Sequence, residues 1–321
     1  MKSAKSTLKK IKGDASFRSF YRKKNSKRNS IIVYATKEKE KNLLIYDAIN
    51  NLLIENKILA PKLYKENYKQ NFIEIEDFGD NTVFELLKKS RSNKVNLYKK
   101  SINLLSKIQK IKKKQIKNFN GKNYRIPTYD GNKLFREAKL FSDWYAKKYV
   151  PKKKLTQFNS KINKQIKFLI SNLKLKNNTF VHRDFHVSNL IKYKKKLATI
   201  DTQDALIGNR AYDLASLIDD VRFKSNKKLK DNIYNYYLKL NKNKINKIIL
   251  LNDFEILSVI RNMKIIGIFT RLASRDKKKK YLKFIPYAWK LIELRIRNNQ
   301  MFDALKRILD LNFPREIRGL K

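Results

Sequence analysis

FVHRDFHVSNLIKYKKKLATIDTQDALIGNRAYDLAS, residues 180–216, decides the reading of this 321-residue chain. It holds both histidines of the chain, His182 and His186, with Asp184, Asn189, Asp201, Asp204 and Asp213 around them. Carboxylates are scarce elsewhere, since the whole sequence carries 28 acidic against 77 basic residues. Within the stretch, NLIKY and KLATI read as two short β-runs joined by lysines, and Asp201 follows the second directly. Asp184 therefore sits on a tight loop, Asn189 five residues further on, and Asp201 at the end of a strand close by.

Phosphoryl transfer asks for such a set. One carboxylate accepts or orients the acceptor hydroxyl's proton, and oxygen ligands hold Mg²⁺ against the nucleotide phosphates. Mg²⁺ takes a few hard oxygens and keeps several waters, so one Asn and one Asp suffice when phosphates complete the shell. The spacing equals that of the H-R-D-L-x-x-x-N loop of protein kinases, which is likewise followed by a metal-binding Asp. Here Phe185 stands in place of Leu, and His186 stands where protein kinases carry Lys, which points to small-molecule kinases. His182 reads as a structural histidine that holds the loop backbone. Asp213, in AYDLAS, anchors the catalytic loop or caps the next helix, and Asp204 is either a substrate contact or a turn former. A zinc pair at His182 and His186 lacks the Glu that zincin chemistry places after the first His.

Composition bounds the class. Apolar residues at 42% and aromatic residues at 12% suit a folded globule with a real core. Cysteine is absent, which excludes disulfides and thiolate chemistry. The start, MKSAKSTLKKIKGDASF, carries charge and no apolar h-region, and the longest apolar runs are too short to span a bilayer. These features predict a cytoplasmic protein. The formal charge of +49 attracts polyanions at low salt, and makes a nucleic-acid binder the rival from another class. The lysines are spread along the chain, however, and no zinc finger, RNP strand or KH loop appears. The charge reads as a solvated basic surface, with no specific nucleic-acid partner.

Along the chain, KSTLKKIK, SFRSFYRK and SIIVYAT read as strands, with GDAS as a tight turn between the first two. Residues 38–56 have helical apolar spacing, and ILAPKLY and FIEIEDFGD supply two more short strands. Beyond Asp80 the segments 82–117, 132–149, 156–173, 211–222, 228–249, 252–274 and 283–310 are helix-like. The organisation expected is a small antiparallel sheet with one helix over residues 1–80 and a larger helical part over 81–321.

With these residues in place, the chain resembles the aminoglycoside phosphotransferase/choline kinase superfamily. Within it the chain is similar to the bacterial anomeric kinases of N-acetylmuramate and N-acetylglucosamine that serve cell-wall sugar recycling. Four segments carry the narrower likeness, in order: GDASFRSFYR (13–22), FIEIEDFGD (72–80), IPTYDGNKLFREAKLFSDWY (126–145) and HRDFHVSNL…IDTQDALIGNRAYDLASLIDD (182–220). The resemblance implies an α+β, protein-kinase-like two-lobed fold. Its small antiparallel-sheet N-lobe (1–80) would bind the nucleotide, and its helical C-lobe (81–321) would carry the catalytic loop and substrate site. It implies ATP and Mg²⁺ as cofactors, Asp184 as catalytic base, and Asn189 and Asp201 as the metal ligands. The turn Gly13-Asp14-Ala15-Ser16 would lie over the ATP phosphates in place of a glycine-rich loop. An amino sugar phosphorylated at its anomeric hydroxyl is the implied substrate. Gln203 and Asp204 are candidates for its hydroxyls and acetamido group, and Arg210 and Arg222 for a lactyl carboxylate. Another small hydroxyl substrate, such as choline or an aminoglycoside, is the alternative within the superfamily.

The chain departs from its relatives in three places. SIIVYAT has no lysine where many members pair one with the α/β-phosphates, leaving Arg18 or Lys37 to supply the cation. Thr202 replaces the aromatic residue usual after the metal-binding Asp. Ser19 stands where relatives carry a second Arg.

Overall fold

The computed structural model describes residues 7–11, 18–24, 28–35, 42–89, 93–242 and 244–320. The turn Gly13-Asp14-Ala15-Ser16 and Lys37 lie outside them. The chain divides into two compact units, Met1–Pro127 with His182–Leu206, and Thr128–Val181 with Ile207–Lys321.

The first unit is built on five strands: β1 (Thr7–Ile11), β2 (Arg18–Lys24), β3 (Ser30–Ala35), β4 (Leu63–Asn67) and β5 (Phe72–Glu76). They lie in the order β1-β2-β3-β5-β4, every neighbour antiparallel. Alternation decides which face is covered. Val33 and Ala35 of β3 and Ile73 and Ile75 of β5 point to one side and pack with Leu43 and Tyr46 of helix α1 (Asn42–Glu55). The helix is covered on its sheet-facing stripe and carries its polar residues where other segments meet it. Asp47 is one of these. It is buried, takes a hydrogen bond from Asn51 Nδ2 at 3.0 Å, and has its carboxyl pushed up to about 6 by desolvation.

That shift has a sign. The folded form holds the proton up to about pH 6, whereas an unfolded aspartate releases it near 4. The residue therefore contributes stability below about pH 4 that is lost as pH rises through 6. Asp47→Asn should raise unfolding free energy at pH 8 by about 1–3 kcal/mol and leave it unchanged at pH 4, as read by denaturant melts at both pH values.

The catalytic-loop stretch belongs to this unit because backbone hydrogen bonds tie it there. Its hairpin, Leu190–Tyr193 against Lys196–Thr199, is stitched to the segment after α1 by Thr199 N to Leu59 O at 2.9 Å. A second tie runs from Lys192 N to Asn81 O at 2.8 Å.

The helical reading of 82–117 is overturned in part. Helices Val83–Lys89 and Lys94–Ile108 are followed by a hairpin that pairs Gln115–Lys117 with Asn123–Arg125. The segment between Ile108 and Ile116 carries four lysines in a row of five, whose repulsion disfavours a continued helix, and Gly121 turns the chain at φ 71°.

The second unit is helical. Helix Gly131–Ala138 starts on Asp130, whose carboxylate accepts from Lys133 N at 2.8 Å, and runs on through a π-helical turn at Phe141–Ala146. Helix Lys247–Ser274 is the longest element and is capped by Asn246, which accepts from Ile248 N and Ile249 N. The Asn- and Lys-rich stretch before it ends the preceding helix, Lys227–Leu240, earlier than the apolar spacing suggests. At Gly267 a Cβ would lie 2.4 Å from Leu140 O, so a side chain there would force the long helix away from the π-helical turn. Phe141, Tyr145, Trp289 and Phe313 form the centre of this core, with Trp289 Nε1 donating to Tyr145 OH at 3.1 Å.

Candidate active site

The loop from His182 to Asn189 is a frame of short-range hydrogen bonds. His186 N donates to Asp184 O at 3.0 Å, and Asn189 N to His186 O at 2.9 Å. Asn189 Nδ2 donates back to Asp184 O at 3.0 Å, which fixes the side chain by its nitrogen. Ile200 N donates to Asn189 O at 3.0 Å, so Asn189 and the residue before Asp201 form one rung at the mouth of the hairpin.

His182 closes the frame from below. It is fully buried, with Nε2 3.1 Å from Ile200 O and 2.8 Å from Thr199 Oγ1. Burial lowers its pKa, so the ring is neutral and ties the loop at 182–189 to the strand that leads into Asp201. His182 thus carries hydrogen bonds rather than a mobile proton. Thr202, in the place of an aromatic residue, is buried and donates to Asn50 Oδ1 of α1 at 2.6 Å.

Three residues of 180–216 hold left-handed backbone without being glycine: Arg183 at φ 73°, Asp201 at φ 61°, and Lys194 at φ 52° in the hairpin turn. Such conformations cost on the order of 1 kcal/mol or more, and cluster where a site demands a particular side-chain direction. Arg183 Nη1 reaches Asp204 Oδ1 at 3.5 Å. Asp201 meets Arg18 Nη2 at 3.8 Å and accepts from Gln203 Nε2 at 2.9 Å; the same amide donates to Asp204 Oδ2 at 3.1 Å. Gln203 therefore bridges the two carboxylates.

Asp201 has its pKa raised, first by desolvation and then by the neighbouring charge of Asp184. Its carboxylate is nonetheless 42% accessible, so an incoming cation can reach it. Two repelling carboxylates, a half-open one among them, suit a hard cation. The amide oxygen of Asn189 adds a neutral ligand of the kind Mg²⁺ accepts, its nitrogen being held by Asp184 O. The donor set fits the ion.

Arg18 opens β2, directly opposite Ala35 in the antiparallel register. It is 9% exposed. Ala35 ends the strand where a lysine is missing, so the guanidinium comes from the adjacent strand to the same side of the sheet. Tyr46 of α1 lies near the pair, its hydroxyl pushed up to about 12 by burial and by Asp201. The stretch brings together Asp184, Asn189, Asp201, Gln203, Asp204 and Arg18. Arg210, Asp213 and Arg222 lie in the second unit, where Arg222 faces the buried Asp220 at 3.7 Å. Tyr46, Asn50 and Arg183 were not singled out in the sequence. The i,i+4 spacing of Tyr46 and Asn50 on α1 was the available signal.

An antiparallel five-stranded sheet with one helix, followed by a catalytic-type loop, a hairpin and a helical remainder, defines a small-molecule phosphotransferase of protein-kinase-like fold. Residues 7–244 match the phosphotransferase enzyme family APH, and the chain belongs to it. The chain is 24% identical over 302 residues to an N-acetylmuramate/N-acetylglucosamine kinase of Pseudomonas aeruginosa, covering 92% of this chain and 86% of that protein. It is 25% identical to a protein of the same name from Neisseria meningitidis serogroup B, over 85% and 80% of the two chains. The ADP-bound aminoglycoside phosphotransferase APH(2'')-Ib shares the fold at TM-score 0.59 and 15% identity, over 89% of this chain and 92% of that one. Among the described residues no helix is long and apolar enough to cross a membrane.

Proposed function

We propose that the chain is an ATP-dependent kinase of an amino sugar, N-acetylmuramate or N-acetylglucosamine, acting at the anomeric hydroxyl in peptidoglycan recycling. The observation that carries the reading is the single hydrogen-bonded frame that holds Asp184, Asn189 and Asp201. The names of the relatives supply the sugar. Asp184 orients the acceptor hydroxyl and takes its proton. An anomeric hydroxyl is more acidic than an ordinary alcohol, so an ordinary aspartate serves. Asn189 and Asp201 hold Mg²⁺, which when bound neutralises charge on the phosphates. Gly13, Asp14, Ala15 and Ser16 cradle the nucleotide phosphates with backbone N–H groups, and Arg18 supplies the cation that the third strand lacks. Gln203, Asp204, Arg210 and Arg222 serve the sugar side. His182 and Asp213 hold the loop in place.

Catalysis then rests on positioning and on charges fixed before the reaction begins. Arg18→Met should raise KM for ATP by about 10-fold or more, the cost of losing a charge-assisted hydrogen bond, and Arg18→Lys should restore part of it. An ADP-release assay with N-acetylmuramate, N-acetylglucosamine, choline and kanamycin tests the acceptor class. Turnover with choline or kanamycin and none with either sugar would move the assignment to another branch of the family.

A further inference from the structure

Two hollows open on the first unit where helix Lys94–Ile108 passes the hairpin of Leu190–Tyr193 and Lys196–Thr199. One holds about 220 Å³ and the other about 190 Å³. They share Lys100, Lys195, Lys196 and Leu197, so they are two parts of one groove. The helix and its N-cap line the groove with a single stripe. Asn93, Asn96, Leu97 and Lys100 border the first part, and Lys100, Asn103, Leu104 and Lys107 border the second. Steps of this kind keep to one helix face, and the stripe from 93 to 107 runs for about 20 Å.

The charge along it has one sign. Lys100 and Lys107 come from the helix, Lys192, Lys195 and Lys196 from the hairpin, and Lys57 from the turn after α1. All six are exposed, and among the described residues neither hollow has a carboxylate in its lining. Elsewhere in the unit lysines do find acids, as Lys113 does with Glu55 at 2.9 Å and Lys23 with Glu74 at 3.4 Å. Lys57 also stands at φ 58°, a left-handed position just past a helix that favours glycine. Ammonium groups gathered along one channel repel each other, and an anion that enters offsets that repulsion.

Shape and lining choose among anions. Between the lysines the groove is aliphatic, through Leu86, Leu97, Leu104 and Leu197, and no aromatic side chain lines it. Single-stranded nucleic acids bind by stacking bases on aromatic rings, which this groove does not offer. Six cations along about 20 Å match a ligand whose charges follow one another closely. A chain of directly linked phosphates has that spacing and a cross-section without bases or sugars.

We propose that this groove binds a linear polyphosphate, lying along the helix between Asn93 and Lys107. The proposal is independent of the proposed function, because none of the groove's residues is assigned to the nucleotide or the acceptor.

Calorimetric titration of the full chain with short-chain inorganic polyphosphate, at about 0.15 M salt, tests it. Two triple variants remove equal charge. One is Lys100→Gln/Lys195→Gln/Lys196→Gln in the groove. The other is Lys152→Gln/Lys153→Gln/Lys154→Gln, at the exposed start of helix Lys152–Ser171 in the second unit. The groove variant should bind about 10- to 100-fold more weakly, and the slope of log K against log salt should shrink by about 2, as the loss of three single-strand phosphate contacts requires. The second variant should stay within about 3-fold of the parent. All six substituted side chains are exposed, so both variants should melt as the parent does. Should the groove triple fail to fold, Lys100→Gln alone should still shrink the slope by about 0.7. Equal weakening in both triples would assign the binding to overall charge and overturn the inference. So would a parent that does not bind polyphosphate at this salt, or one that binds single-stranded DNA of equal phosphate number as tightly.

Discussion

Asp184→Asn should lower kcat by about 10²–10⁴-fold, the range ascribed to a positioned general base, while KM for ATP stays within about 3-fold. The reason lies in the frame. Asp184 holds Asn189 through its backbone oxygen, at 3.0 Å from Nδ2, and that contact survives the substitution. His182 and Thr199 keep the loop on the strand whatever side chain position 184 carries. The variant therefore loses the proton acceptor and keeps the fold. Steady-state kinetics with a melting curve read both parts. A drop in kcat accompanied by a fall in melting temperature of many degrees would mark Asp184 as a structural residue instead.

Asp219→Ala should unfold the second unit more easily, by about 3–5 kcal/mol, the cost of breaking a buried ion pair by removing one partner. Asp219 is fully buried at the C-terminus of helix Ala211–Ile218. Its carboxylate takes bonds from Lys230 Nζ at 2.9 Å, Arg295 at 2.8 and 3.0 Å, and Ser258 Oγ at 2.6 Å. Burial alone would raise its pKa, but the two cations and the hydrogen bonds hold it well below the usual carboxylate range. The sign follows. This group adds stability that is fully present above about pH 4, the unfolded value, and is lost as pH falls toward the folded one. Denaturant midpoints of the parent should decline below about pH 4 more steeply than those of Asp219→Ala. The parallel decline of both would show that the network contributes nothing.

The sheet was legible because alternation in SIIVYA and FIEIE encodes a covered face, and because α1 presents its apolar stripe at helical spacing. The hairpin between Asn189 and Asp201 was legible from its two short β-runs, Leu190–Tyr193 and Lys196–Thr199. What resisted reading depends on partners far away in sequence. Asp219 meets Arg295 across 76 positions, and no local pattern announces that pair. Arg261 in SVIRNMKII reads as the solvent side of an amphipathic helix; only the packing of the helix on all sides buries it. The hairpin at 115–125 was hidden because Ile108, Ile111 and Ile116 mimic helical spacing across a lysine run that cannot stay helical. Arg18 was one of two candidate cations, and its place opposite Ala35 is a matter of strand register. The lysine surplus hid charges with a role among charges that merely face water.

The most direct test is ³¹P NMR of the full chain with Mg·ATP and N-acetylmuramate, run beside Asp184→Asn. The account predicts a sugar 1-phosphate signal, disappearance of the free reducing end, and neither in the variant. Phosphate on another hydroxyl, or no transfer while ATP is bound, would contradict it.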